Sequence, residues 1–179
     1  GRESQTVSYA QIDQTISAVH AMCMTQHELL QHMLVSSLQV ARQLLEDAGG
    51  VTLSDNESVT WNTAGSDASH GTVILPLMRL GAGQNPAPVE PASIAGKTCS
   101  LTGITVALFQ RMDERGSMLL VAAHEPGAGK TGAAGYVVPA QNLDGAQHPV
   151  ISSVVRGQRF LGRLAIAGIG YEAACDPLL

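Results

Sequence analysis

The sequence predicts an α+β fold: a long N-terminal helix packed on a central antiparallel sheet of five or more strands. Three observations carry that prediction. From about Ser4 to Asp47 the chain has neither Gly nor Pro. Glycines crowd in after Gly49 and Gly50. The apolar residues there fall in short runs separated by Gly, Pro, Asn and Asp, which is the pattern of strands and turns. Residues 1–48 are accordingly the helix and 49–179 the sheet part of one domain, a size at which roughly 70% of the unfolded surface is buried.

In the first segment Ile12, Ile16, Val19, Cys23, Gln26, Leu30, Met33, Ser37, Val40 and Leu44 recur at alternating four- and three-residue steps, a heptad seam. A second stripe through Met22, Leu29, Leu34, Leu38, Ala41 and Leu45 widens the apolar face, as expected if a sheet also packs there. Gly49 and Gly50 stop the helix. A rise of about 1.5 Å per residue makes it roughly 60 Å long, so part of it overhangs its own domain and a homodimer through this helix is expected.

Val51–Leu53 and Ser58–Asn62 flank Ser54, Asp55 and Asn56 and are expected to form a hairpin that ends at Trp61. Residues 62–71, small and polar, read as a loop or short helix. Thr72–Leu80 is a strand that Pro76 places at an edge or a bulge. The Pro- and Gly-rich run 81–91 is a surface excursion, Ala92–Thr102 a short helix, and Ile104–Met112 a strand. Asp113, Glu114, Arg115 and Gly116 turn it back through Ser117–Ala123. Two Gly-rich turns bracket Ala133–Pro139, His148–Val155 is a short helix, and Arg159–Ile169 and Tyr171–Leu179 are the last strands.

A net charge of −5 with ten basic residues leaves no cationic stripe for a phosphate backbone, and 3% aromatics offer few rings for bases, so nucleic acid is not an expected partner. No apolar run is long enough to span a membrane. The start at Gly1 without an initiator Met, and the bare Leu178–Leu179 end, lead us to expect a piece of a longer chain, attached to the membrane only through flanking segments. Of the three cysteines, Cys23 lies in the helix seam, and one bridge is conceivable between Cys99 and Cys175.

Gly129, Lys130 and Thr131 resemble the end of a phosphate-binding loop, but His124 stands where its leading Gly belongs. His20, Cys23, His27 and His32 have metal-ligand spacing on one helix; a metal or haem sensor is therefore an alternative function, although no haem-attachment pattern exists and no cofactor is expected. There is no nucleophile elbow and no paired carboxylate site, so catalysis is not expected. Arg111, Arg163, Tyr136 and Tyr171 differ, because each sits in an otherwise apolar strand. An Arg fork and a Tyr hydroxyl on an apolar wall suit a carboxylate ligand. The competing assignment pairs each Arg with a protein carboxylate such as Glu172 or Asp176.

The run Phe109–Asp113, with Gly116, Met118, Leu119, Val121 and Ala122 behind it, resembles the central hairpin of bacterial extracytoplasmic sensor domains of the single-Cache family, in the subtype that fuses two Cache profiles. Further stretches fit in order: Trp61 and Asn62; Leu75, Pro76 and Met78 with Gly83, Gln84 and Asn85; Pro149, Val150 and Ile151 with Gly157, Gly162 and Arg163; and Tyr171, Asp176, Pro177 and Leu178. The resemblance spans residues 50–179. It implies a PAS-like fold with a small-molecule pocket on one face of the sheet. It also implies a periplasmic position in a membrane-bound chemotaxis receptor or, next, a histidine kinase. The ligand-binding set is then Arg111, Arg163, Tyr136, Tyr171, Phe109, Met78 and Trp61, and the ligand a small organic anion such as acetate. A dimerisation module without a ligand is the other alternative. The chain departs from the family where Ala165, Gly168, Gly170 and Cys175 replace expected Phe, Asn, Trp and Tyr. Tyr136 is one residue out of step, Val137 taking the usual position, and such an offset faces the other side of a strand.

Overall fold

The computed structural model describes residues 27–65, 70–81, 87–88, 90–130 and 134–178. The Gly- and Pro-free segment is helical in its described part, α1, residues 27–47. Its heptad positions from Ile12 to Gln26, and with them His20 and Cys23, lie outside the described residues. Two bonds close the helix: Gly50 N donates to Leu45 O (2.8 Å) and Gly49 N to Glu46 O (2.9 Å). This pair is the Schellman arrangement, and it requires the left-handed backbone that Gly49 adopts at φ 93°. Leu45 is buried, Leu34, Leu38 and Ala41 are half-buried, and Leu29 and Met33 are exposed.

Strands β1 (Val51–Ala64) and β2 (His70–Leu80) form one long antiparallel hairpin. The hairpin expected at Ser54–Asn56 is instead a bulge within β1. Pairing steps from Leu53↔Met78 to Ser58↔Pro76, so residues 54–57 stand opposite Leu77 alone. The turn chemistry is present, since Ser54 Oγ accepts the amides of Asn56 (3.3 Å) and Glu57 (3.1 Å). It loops the chain out and returns it to the same partner strand. Pro76, which has no N–H to give, lies at the bulge margin. Trp61 does not end the strand. It pairs with Val73, and pairing runs on through Thr63↔Gly71 to Ala64↔His70 where a loop or short helix was expected.

The short β3 (Ala87–Pro88) adds to β2. Helix α2 (Pro91–Thr102) starts with Pro and ends at Gly103, whose N–H reaches Cys99 O; it buries Ala95, Thr98 and Cys99. Strands β4 (Val106–Arg111) and β5 (Met118–Glu125) pair antiparallel across the expected Asp113–Gly116 turn. Asp113 Oδ1 accepts the amides of Gly116 (2.9 Å) and Ser117 (3.0 Å). Burial would raise its carboxyl pKa, but the Ser117 and Gly116 bonds outweigh that and hold it below the ordinary value. Strands β6 (Gly129–Lys130) and β7 (Val137–Val138) both pair with β5. Helix α3 (Pro149–Val155) then leads to a hairpin of β8 (Phe160–Ile166) and β9 (Ile169–Cys175).

The α+β class stands. The strands, expected in one sheet of five or more, are divided among three sheets, of which the largest holds four. The first two sheets touch where Ala64 bridges Tyr136, Ala64 N donates to Gly135 O (2.9 Å) and Gly135 N to Leu120 O (2.7 Å). Two apolar clusters lie on opposite faces of the β4–β5 sheet. One joins Leu119 and Val121 of β5 to Leu45, Leu75, Met78 and Ala95, with Trp61 packed against it. The other joins Phe109 and Met118 to Val138, Ala140 and Ile151. The end of α1 and helix α2 therefore cover one face, and α3 covers the other. Cys99 and Cys175 are both free thiols, so the bridge conceived between them does not form.

Candidate functional site

A cavity of about 870 Å³ opens between α1, β4 and the β8–β9 hairpin and reaches α3. That is within the ordinary range for small-molecule sites. Its wall is mostly apolar. The second stripe of α1 supplies Leu34, Leu38 and Leu45, and the hairpin supplies Leu164 and Tyr171, which are opposite each other across β8 and β9. Its charged residues, among those described, are Arg42 and Asp176, which pair with each other, Glu172, which pairs with Arg163, and Arg111 and Glu125.

The chief pair is a three-way one at Asp176. Arg159 grips its carboxylate with Nε to Oδ1 (2.7 Å) and Nη2 to Oδ2 (2.9 Å), while Arg42 of α1 reaches Oδ2 (3.3 Å) and Pro177 O (3.3 Å). The Asp176 side chain is only 7% exposed. The Arg159 bond, partly offset by burial and helped by Arg42, holds its carboxyl below the ordinary value. Next to it, burial and then the Asp176 charge push the Cys175 thiol up to about 11.

Of the seven candidate residues, Met78, Phe109, Arg111 and Tyr171 line this cavity. Met78 is buried, Phe109 and Tyr171 half-buried. Arg111 is exposed and donates from Nε to Asp113 O (2.7 Å) and from Nη2 to Glu114 O, so it clamps its own turn. Arg163 is 86% exposed at its side chain and pairs with Glu172 (Nε to Oε1, 3.0 Å), the cross-strand partner that the competing assignment named. Tyr136 packs on the α3-side cluster and Trp61 on the α1-side one, away from the cavity wall.

Two polar residues that sequence reasoning passed over also line the cavity. Gln110 is 6% exposed and anchors Nε2 to Pro76 O (2.9 Å). Thr98 is 1% exposed, and its Oγ1 has no hydrogen-bond partner. The signal that selected Arg111, a polar side chain in an apolar strand, applies equally to Gln110. Thr98 carries no comparable signal, because Thr in a short helix is ordinary. On α1, His27 bonds Gln31 (3.1 Å), and among the described residues no three potential ligands gather as a metal site.

A long amphipathic helix, strands with a helix on either face of the central hairpin and a mostly apolar cavity are the parts of a small-molecule sensor type of domain. The family comparison is more specific: residues 2–179 match the model of the Cache 3/Cache 2 fusion domain, and the chain belongs to that family of extracytoplasmic sensor domains. Neither the curated proteins nor the solved structures provide a match. No helix among the described residues is long and apolar enough to cross a membrane.

Proposed function

We propose that this domain is the periplasmic ligand sensor of a transmembrane transducer, a methyl-accepting chemotaxis protein in the first place and a histidine kinase in the second. Its ligand is a small organic anion such as acetate, held on the α3 side of the cavity between Phe109 and Tyr171. The observation that carries this is the apolar cavity with Tyr171 and Arg111 on its wall. Arg111 now spends its guanidinium on neutral carbonyls. A carboxylate accepts two parallel bonds from the guanidinium and adds the attraction of opposite charges, which the carbonyls do not offer. Moving Arg111 off its turn also loosens the β4–β5 hairpin. Occupancy thereby favours one arrangement of sheet and helix, which is the differential affinity that signalling needs.

A panel of short carboxylates in a thermal-shift assay tests it. A ligand at about a hundred times its Kd adds about 2.7 kcal/mol of stability, and Arg111→Ala is expected to remove that gain while the unliganded protein still melts cooperatively. No stabilisation by any of them at millimolar concentration sinks the reading. A second reading has its own support: Leu29 and Met33 are more than half exposed on α1, which suits a dimer built on that helix.

A further inference from the structure

The end of β4 that carries Arg111 opens onto a longer apolar track. Alternation puts Arg111, Phe109 and Ala107 on one face of the β4–β5 hairpin, with their cross-strand partners Met118, Leu120 and Ala123 beside them. All six line the cavity. The side chains shrink along the track: Met118, Phe109 and Leu120 stand near Arg111, and beyond them only the methyl groups of Ala107 and Ala123 remain. Leu34 and Leu38 of α1 and Tyr171 of β9 line the same space and are only half-buried, so their apolar surface still has water to lose. A cavity of about 870 Å³ is also far more than the carboxylate and single methyl of acetate fill.

We infer that the ligand is a medium-chain aliphatic monocarboxylate of about eight to ten carbons; this rests on the reading that a carboxylate meets Arg111, and it narrows the class of anion. The head lies at Arg111, and the tail passes Phe109 and Leu120 to end at Ala107 and Ala123. The lengths agree. Arg111 and Ala107 are four residues apart, about 13 Å along an extended strand. Carbon–carbon bonds of about 1.5 Å advance about 1.25 Å each in a zig-zag, so a ten-carbon chain extends about 11 Å. The charges of the wall agree as well. Arg42 pairs with Asp176, and Glu172 with Arg163, which leaves Arg111 and Glu125 at opposite ends of the track. Glu125 ends β5, roughly 20 Å along that strand from Met118, the partner of Arg111. The tail stops short of it, and every side chain of the track in between is uncharged. A single head charge is therefore matched, and no second one has to be buried without a partner. Acetate occupies the head site alone and binds weakly.

Calorimetric titration of this chain with straight-chain acids from acetate to decanoate, each below its micelle concentration, tests the proposal. The Kd is expected to fall about fourfold for each added methylene, the effect of burying one CH₂. Decanol, which lacks the head charge, and the ten-carbon dicarboxylate, which brings a second charge among the alanines, are each expected to bind at least about tenfold more weakly than decanoate. Ala107→Leu, which fills the tail end, is expected to weaken decanoate at least about tenfold more than propionate, a ratio taken on one folded sample. Affinity that stops rising at propionate overturns the tail, while loss of short-acid binding in Arg111→Ala then keeps the carboxylate reading. Decanol binding as tightly as decanoate, or no acid of any length binding, overturns both. An ω-aminododecanoate that binds more tightly than decanoate also overturns the proposal, because it makes Glu125 a second anchor.

Discussion

Arg111 and Arg163 stand out in the sequence for the same reason, a cation within an apolar strand, yet their surroundings separate them. Arg163 faces Glu172 directly across the β8–β9 hairpin and is nearly fully exposed, while Arg111 borders the cavity. Neither outcome is legible from the strand itself, because register across the hairpin decides which carboxylate is opposite. Asp176 illustrates the same limit, since Arg42 and Arg159 come to it from 134 and 17 residues away. Asp176→Asn is expected to cost about 1.5–3 kcal/mol at neutral pH by urea denaturation. Its carboxyl is held below the ordinary 3.8 in the folded protein, so the unfolded chain binds a proton more readily. The stabilisation is complete above the unfolded value and lost as pH falls through the folded one. The gap in midpoint between wild type and Asp176→Asn is therefore expected to close as pH drops below 3.8, and a gap unchanged at pH 2 would falsify this role. Gly135 is a second such residue: at φ 95°, a Cβ there would stand 2.3 Å from Asn62 O, where β1 meets the β5 edge. Gly135→Ala should destabilise by about 3 kcal/mol in the same assay.

Among the elements, α1 was the most legible. The absence of Gly and Pro, the two stripes and the terminal Gly pair all arise from local chemistry, and the stripe through Leu34, Leu38, Ala41 and Leu45 does turn toward the sheets. Leu38→Ala should cost about 1–2 kcal/mol, less than a fully buried Leu, because Leu38 is half-buried beside a cavity. Met33→Glu, at an exposed seam position, should leave the unfolding free energy within about 0.5 kcal/mol of wild type. If the helix pairs two copies, the same substitution shifts the sedimentation profile toward monomer. The hairpin expected at Ser54–Asn56 shows the opposite case. Ser54 makes a turn there as its chemistry dictates, but a turn becomes a hairpin or a bulge according to which strand the chain meets next, and that partner is β2 on both sides.

At the scale of the whole molecule, the two cysteines among the described residues, Cys99 and Cys175, are free and Cys99 is buried, so in a Cys23→Ser variant added reductant should leave the thermal midpoint unchanged. The high Cys175 pKa predicts slow alkylation at pH 8, measurable by mass spectrometry. The family was legible from ordered motifs, and those motifs mark the places where backbone geometry is demanding: the Asp113–Gly116 turn, the Pro-started α3, and the closing Asp176–Pro177. What the chain determines by itself is therefore its α+β class, its helix and turn positions, and its kinship, all of which rest on interactions within a few residues. Tertiary structure alone decided the division into three sheets, the pairing of Arg163 and the triad at Asp176. It also brought β4 and β9 to the wall of one apolar cavity. The physical reason is that strand pairing is non-local: a strand's sequence says that it will pair, while the rest of the fold determines which neighbour lies beside each edge.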